Sequence, residues 1–182
     1  KKIHEEIART GLLEKDIVLG NALIDMYMKC GTFIKAWEVL HELQVRNVIT
    51  WSILIAGYAQ QGSGQEALDC YEAMQSECFT PHPVTYTCIL IACGNVRATD
   101  KGKQIHNEIV SMGLVDRDTV LGNALLDMYA KCGLLCEAQR VLEGLSSRDT
   151  ISWSALITGY AQEGQGHEAL KCFESMKNEG LS

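Results

Sequence analysis

Two stretches of this 182-residue chain spell a pattern that metal enzymes use. His4-Glu5-Glu6 and His106-Asn107-Glu108 both read His-x-Glu, which in zinc deaminases places a metal ligand beside a general acid–base. That chemistry also needs a Cys-x-x-Cys pair, and no such pair follows either stretch. Cys132 and Cys136 are separated by three residues and have no His near them in the sequence. We therefore predict no metal site, no cofactor and no catalytic residue.

The two His-x-Glu stretches are equivalent because the chain repeats itself. GNALIDMYMKCG begins at Gly20 and GNALLDMYAKCG begins at Gly122, an offset of 102 residues. The same offset relates Trp51-Ser52 to Trp153-Ser154 and runs through the chain without a gap. Self-similarity of this kind is the signature of a repeat architecture rather than of one globular domain.

Each period divides into segments that read as helical hairpins, with an apolar helix, a Gly-containing break and a second, amphipathic helix. In residues 48–82, Trp51, Leu54, Ile55 and Tyr58 have the i, i+3, i+4, i+7 spacing of one helix face. Gly62-Ser63-Gly64 is predicted to end that helix, and Ala67, Leu68, Tyr71 and Met74 form the apolar face of the next one. Because one hairpin cannot bury both its faces, the sequence predicts an all-α stack of hairpins, an α-solenoid.

Helix ends and core positions in the other segments follow from the same patterns. Pro83 suits a first helical turn, Thr99-Asp100 are predicted to cap the helix that carries Ile105, Ile109 and Met112, and Gly113 is predicted to end it. The aromatic residues Trp51, Trp153, Tyr27 and Tyr129 are predicted to be core residues. The cysteines that recur in phase, Cys30 with Cys132 and Cys70 with Cys172, are predicted to be packing residues.

The composition describes a packed chain with an acidic balance. Hydrophobic residues make up 47% and charged residues 21%, and the formal net charge is -7. An acidic surface argues against loose, phosphate-driven binding to a polyanion. No window approaches the roughly 18 continuous apolar residues of a membrane span, so we expect no membrane partner.

The unequal lengths of the units distinguish this solenoid from others. Residues 83–118, 119–149 and 48–82 are units of 36, 31 and 35 residues. With the residues Gly122–Gly133, Thr50-Trp51-Ser52 and Gly102-Lys103-Gln104-Ile105-His106, this alternation resembles the pentatricopeptide repeat family, specifically its plant PLS subfamily of long, short and standard units. The resemblance implies a right-handed superhelix. The predicted units are 1–16 (C-terminal part of a long unit), 17–47 (short), 48–82 (standard), 83–118 (long), 119–149 (short) and 150–182 (standard, truncated).

The resemblance implies binding of single-stranded RNA, one base per unit, read by the fifth and last residues of each unit and sandwiched by the second. The fifth residues are Asn21, Ser52, Thr87, Asn123 and Ser154. The last residues are Asp16, Asn47, His82, Asp118 and Asp149. The second residues are Val18, Ile49, Val84, Val120 and Ile151, all stiff β-branched aliphatic residues.

The family's code implies a base for several units. It assigns a pyrimidine, with C preferred, to the pair Asn21/Asn47, U to Asn123/Asp149 and a mild purine preference to Ser52/His82. Thr87 with Asp118 reads as G, although long units resemble weak readers.

Local helix chemistry offers an alternative role for the same residues. Asn21 and Asn123 stand near helix starts, where Asn caps helices in any protein, and Asp118 and Asp149 suit the helix dipole. Lys29 and Lys131 fall where the family's lysine reaches phosphate, but an ordinary solvated lysine explains them equally well.

These observations predict a non-catalytic array that binds single-stranded RNA sequence-specifically. In family terms it is the targeting array of an organellar C-to-U RNA-editing or RNA-processing factor in the mitochondrion or chloroplast, acting with accessory editing-factor proteins and no small-molecule substrate. Any deaminase domain is expected outside this sequence. The alternative is a protein-interaction solenoid whose groove holds a peptide or a partner subunit.

Overall fold

A computed structural model describes residue 13 and residues 16–115 and 117–181 of the chain. Within these residues every regular element is an α-helix. They divide into two compact units, residues 1–85 and 86–182. The predicted unit 1–16 and the stretch His4-Glu5-Glu6 lie outside the described residues, except for Leu13 and Asp16.

The first compact unit contains two helical hairpins. Helix α1 (Ile17–Lys29) packs on α2 (Phe33–Glu42), and α3 (Val48–Gln60) packs on α4 (Gly64–Ser76). The first helices of the two hairpins, α1 and α3, also contact each other. The stacking that the sequence predicts therefore runs through the first helices.

The second compact unit repeats this arrangement. It contains α6 (Thr99–Ser111), α7 (Thr119–Lys131), α8 (Leu135–Gly144), α9 (Thr150–Gln162) and α10 (Gly166–Asn178), together with all but the first turn of α5 (Pro83–Val96). Helix α7 packs on α8, α9 packs on α10, and the first helices α7 and α9 contact each other.

The predicted core positions are buried. Trp51 and Trp153 are 3% and 6% exposed, and Tyr27 and Tyr129 are equally well covered. The apolar faces of α3 and α4 are buried as the helical spacing requires. Met112 is the exception, since it follows the last residue of α6 and is 46% exposed.

First and second helices begin in different ways. Helices α1, α3, α7 and α9 each start after a side chain that accepts hydrogen bonds from backbone N–H groups of the first turn. Helices α2, α4, α6, α8 and α10 have no side-chain cap. The prediction that Thr99-Asp100 cap α6 is therefore wrong, because the helix starts at Thr99 itself, after Ala98.

Most hairpin turns contain a glycine in the left-handed region, but the turn between α5 and α6 does not. There Arg97 takes that conformation, with φ of 53°. The nearby Gly102 lies inside α6, where a Cβ atom would come within 2.5 Å of the Met128 sulfur atom. The predicted Gly-containing break is thus wrong for this hairpin, because its glycine serves close helix packing. Gly64 likewise begins α4 instead of ending α3.

Candidate nucleic-acid interface

The second residue of each unit exposes an apolar side chain to solvent. Exposure of these five side chains ranges from 59% for Ile49 to 73% for Val18. All lie in the first turn of the first helix of a hairpin: Val18, Ile49, Val84, Val120 and Ile151. Each of the five units thus exposes one β-branched aliphatic residue at the same register position.

In the first compact unit, these positions line a cleft of about 980 Å³. Ile49 and Val84 lie in its wall, together with Ser52, His82 and Lys29. Ser52 is held in place by hydrogen bonds of 2.7 Å to the Val48 carbonyl and to the Thr85 hydroxyl. The cleft thus contains two of the residues predicted to sandwich a base, Ile49 and Val84. It also contains both residues predicted to read the base at the unit 48–82, Ser52 and His82.

In the second compact unit, two smaller clefts of about 350 Å³ each contain the corresponding residues. Thr87, Val120, Asn123 and Asp149 line one of them, and Ser154 lines the other. Ile151 lines both. Asn123, the fifth residue of its unit, and Asp149, the last residue of the same unit, therefore line the same cleft.

The pair Asn123 and Asp149 is in direct contact. The Asn123 amide nitrogen lies 3.3 and 3.2 Å from the two Asp149 carboxylate oxygens, to which it donates. Hydrogen bonds from the Ser152 backbone N–H and from Asn123 hold the pKa of Asp149 below its usual value, so this carboxylate is ionised at neutral pH. The Asn123 carbonyl oxygen is buried and has no hydrogen-bond partner within the described residues.

The pair Asn21 and Asn47 is linked through a third side chain. The Thr50 hydroxyl lies 2.8 Å from the Asn21 carbonyl oxygen, to which it donates, and accepts from the Asn47 backbone N–H at 3.2 Å. Asn21 is only 8% exposed and Thr50 is fully buried. The same two positions of a short unit are therefore coupled directly in one copy and indirectly in the other.

Four of the five last residues of the units also cap helices. Asp16 accepts from Val18 and Leu19, and Asp118 accepts from Val120 and Leu121 in the same way. Asn47 and Asp149 form capping boxes at the starts of α3 and α9. The alternative of a local helix-start role is thus correct for Asp118 and Asp149, because both lie at helix N-termini. It is wrong for Asn21 and Asn123, because α1 and α7 are capped five residues earlier.

Both lysines proposed for phosphate contact form ion pairs within their own helices. Lys29 lies 2.7 Å from Asp25, and Lys131 lies 2.8 Å from Asp127. Asp25 and Asp127 also line the clefts, a role that the sequence analysis did not assign to them. Their recurrence at the 102-residue offset is the signal that could have identified them.

Comparison with known proteins now decides the family. A model of the PPR repeat family matches residues 46–95, and a PPR repeat model matches residues 21–48, 84–114 and 151–181. The chain belongs to the pentatricopeptide repeat family.

Pentatricopeptide repeat proteins of Arabidopsis thaliana are similar to most of this chain. At2g13600 is 36% identical over 78% of the chain, the chloroplastic At4g18520 is 37% identical over 79%, and the putative mitochondrial At3g13770 is 38% identical over 79%. The chain spans only 20%, 23% and 22% of these relatives' own lengths.

Solved structures show the same fold. The crystal structure of the pentatricopeptide repeat protein PPR10 in complex with an 18-nt psaJ RNA element matches 91% of this chain and 25% of that chain, with a TM-score of 0.73 and 21% identity. The crystal structure of PPR10 from maize matches 97% of this chain and 27% of that chain, with a TM-score of 0.69. The fold of this chain is the pentatricopeptide α-solenoid.

Among the described residues of this pentatricopeptide chain, no group of three His, Cys, Asp or Glu side chains could hold a metal ion. His106 instead contacts the Tyr129 hydroxyl at 2.7 Å, and burial lowers its pKa.

Cys70 is a packing residue whose pKa burial raises to about 12, but Cys30 is exposed, so the packing prediction is wrong there. Among the described helices, none is long and apolar enough to cross a membrane.

Proposed function

We propose that this chain binds single-stranded RNA sequence-specifically, with one nucleotide at each unit and unit boundaries at residues 17, 48, 83, 119 and 150. The observation that carries the proposal is the exposed β-branched residue that recurs in the first turn of each first helix, with polar side chains beside it in the clefts. A flat base fits between two such aliphatic residues, and the fifth and last residues then face its edge.

The charge distribution supports recognition through bases rather than through phosphates. Lys29 and Lys131 are already neutralised by Asp25 and Asp127, and the net charge of the chain is -7. Few counterions would be released on binding, so nonspecific affinity should be low and the salt dependence modest. The alternative, nonspecific adhesion to RNA, needs a basic surface.

Two of the relatives are named chloroplastic and mitochondrial, which supports an organellar location for the protein that carries this array. We propose that it targets an organellar C-to-U editing or RNA-processing factor to its transcript, in the mitochondrion or the chloroplast, together with accessory editing-factor proteins. The alternation of long, short and standard units supports membership of the PLS subfamily. In this role the array itself is not catalytic.

The proposal is tested by selection from a pool of short randomised single-stranded RNAs, sequenced after binding to the purified chain at low ionic strength. The unmodified chain should enrich a defined motif. Asn123→Ser should move the preference at one nucleotide of that motif from pyrimidine toward purine, because the shorter side chain leaves room for the larger base. An unchanged preference at every nucleotide would overturn the assignment of the fifth residues.

A matched pair of valines tests the sandwiching surface. Val120 on α7 is 66% exposed and Val110 on α6 is 54% exposed, and only Val120 holds a second position. Val120→Ala should weaken RNA binding about tenfold through lost apolar contact, whereas Val110→Ala should leave it unchanged. Equal losses would argue against the surface. If no RNA motif is enriched and a parallel selection from a peptide library enriches a peptide, the interaction solenoid is favoured.

A further inference from the structure

The two short units hold their fifth-position asparagines by opposite ends of the amide. Asn21 uses its carbonyl oxygen inside the protein, accepting from the Thr50 hydroxyl at 2.8 Å. Asn123 uses its amide nitrogen, donating to the Asp149 carboxylate at 3.2 and 3.3 Å. An amide has one acceptor end and one donor end, so whichever end the protein holds, only the other is left for a ligand.

Residue Thr50 lies in the third position of the following unit, a position to which the sequence analysis assigned no role. Its side chain is fully buried, and its hydroxyl joins the Asn47 backbone N–H to the Asn21 carbonyl. The matching Ser152 is also fully buried, but its hydroxyl donates to the Asp149 backbone carbonyl at 2.8 Å. Ser152 therefore completes the capping box of α9, while Thr50 additionally reaches the preceding fifth residue.

We propose that Thr50 is a positioning residue for base selection, which holds the Asn21 carbonyl so that the amide N–H₂ faces the nucleotide. In the second copy the Asp149 carboxylate instead holds the Asn123 amide nitrogen, and the Asn123 carbonyl, although buried, is the end of the amide left without a partner within the described residues. This inference rests on the proposed RNA-binding function and adds to it a residue outside the fifth and last positions.

The donor and acceptor pattern of the bases then separates the two short units. Cytosine presents an unprotonated N3 acceptor, which an outward N–H₂ group from Asn21 can bond. Uracil presents an N3–H donor, which suits the buried Asn123 carbonyl that has no partner within the described residues. A buried acceptor without a partner is costly, and a bound uracil would remove that cost. The geometry thus supplies a physical reason for different pyrimidines at two units with the same fifth residue.

The experiment compares base preference in variants that lose the third-position hydroxyl. Thr50→Val keeps the shape of the side chain and removes only its hydrogen bonds. In the randomised RNA selection, the ratio of C to U at the nucleotide facing the first short unit should fall about fivefold, the effect of one hydrogen bond. Thr50→Ser should restore the wild-type ratio, and the nucleotide facing the second short unit should not change in either variant.

Ser152→Ala is the matched control for a purely structural role. It breaks the equivalent capping box at α9, so it should lower stability as Thr50→Val does, yet the U preference at the second short unit should persist because Asp149 still holds Asn123. Circular dichroism and thermal unfolding confirm that each variant is folded. An unchanged C-to-U ratio in Thr50→Val, or an equal loss of preference in Ser152→Ala, would overturn the inference while leaving RNA binding intact. Failure of the unmodified chain to enrich any motif would overturn both proposals.

Discussion

The second helices of the two short units carry different residues at the same position. In the first copy, the Trp37 indole N–H donates to the Tyr58 hydroxyl at 2.7 Å, and its ring meets Trp51 edge-on at 6.5 Å. In the second copy, Gln139 stands at the matching position and accepts from the Tyr160 hydroxyl at 3.1 Å. The repeat preserves the tryptophan and tyrosine of the standard unit but not the side chain that packs against them.

The smaller side chain leaves space in the second copy. A cavity of about 420 Å³ lies among α8, α9 and α10, with Gln139, Trp153 and Tyr160 in its wall. In the first copy, Phe33 adds a further ring 5.0 Å from Tyr58, where the second copy has Leu135. Hairpins of the same backbone design therefore differ in how much apolar contact they contain.

A polar cluster is common to both copies. Glu77 accepts from the Trp51 indole at 3.0 Å and pairs with Arg46 at 2.7 Å. Glu179 accepts from the Trp153 indole at 2.9 Å and pairs with Arg148. These residues recur at the 102-residue offset, so the cluster is a repeated feature of the sequence. The residue pair Trp37 and Gln139, in contrast, differs between the two copies.

Removing the filling side chain should produce the largest difference between the copies. Trp37→Ala should lower the free energy of unfolding by about 2–3 kcal/mol, because a half-buried indole and its hydrogen bond are lost. Gln139→Ala should cost less than about 0.5 kcal/mol, as for an ordinary surface residue. Urea denaturation followed by circular dichroism measures both. Equal costs would show that Trp37 contributes no more than its replacement.

Filling the cavity should stabilise the second copy. Gln139→Trp should raise the free energy of unfolding by about 1 kcal/mol and increase the melting temperature, since the indole can pack on Trp153 as Trp37 packs on Trp51. Gln162→Trp, at an exposed position at the end of α9, is the control and should have no such effect. A fall in stability for Gln139→Trp would mean that the cavity does not accept the ring.

Acidic pH should weaken the N-terminal cap of α9, which is Asp149, and should not affect the matching cap of α3, which is Asn47. The pKa of Asp149 is lowered in the folded chain, so its stabilising effect is complete above about pH 4 and is lost as the pH falls through the folded-state pKa. Asn47 caps α3 without titrating. Asp149→Asn should therefore remove a pH-dependent contribution of less than about 1 kcal/mol. Urea midpoints at neutral and acidic pH measure it, with Asp127→Asn as a carboxylate control that caps no helix.

The smallest expected effect concerns the two lysines. Lys29→Ala and Lys131→Ala should each reduce the salt slope of RNA binding by at most about one, because both cations are already paired with aspartates. Binding titrations at several salt concentrations measure the slope. A much larger reduction would mean that RNA displaces the aspartates and that phosphate contacts dominate.

The repeat made much of the fold predictable. The spacing of Trp51, Leu54, Ile55 and Tyr58 identifies a buried helix face, since that periodicity has few other causes. The family resemblance singled out the second positions, and four of their exposed apolar side chains line the clefts: Ile49, Val84, Val120 and Ile151. The turn at Arg97 was not predictable, because any flexible residue can adopt that conformation when packing requires it.

The sequence by itself determined the helical hairpins and their buried faces, because these follow from local propensity and periodic burial. The positions predicted to face a ligand came from the family resemblance. Only the tertiary structure decided which side chains meet. Asn123 touches Asp149, Asn21 touches Thr50, and Gln139 lines a cavity beside Trp153 and Tyr160. Those contacts join residues on neighbouring helices more than twenty positions apart. Their geometry depends on side-chain size and hydrogen-bond competition, which periodicity does not encode.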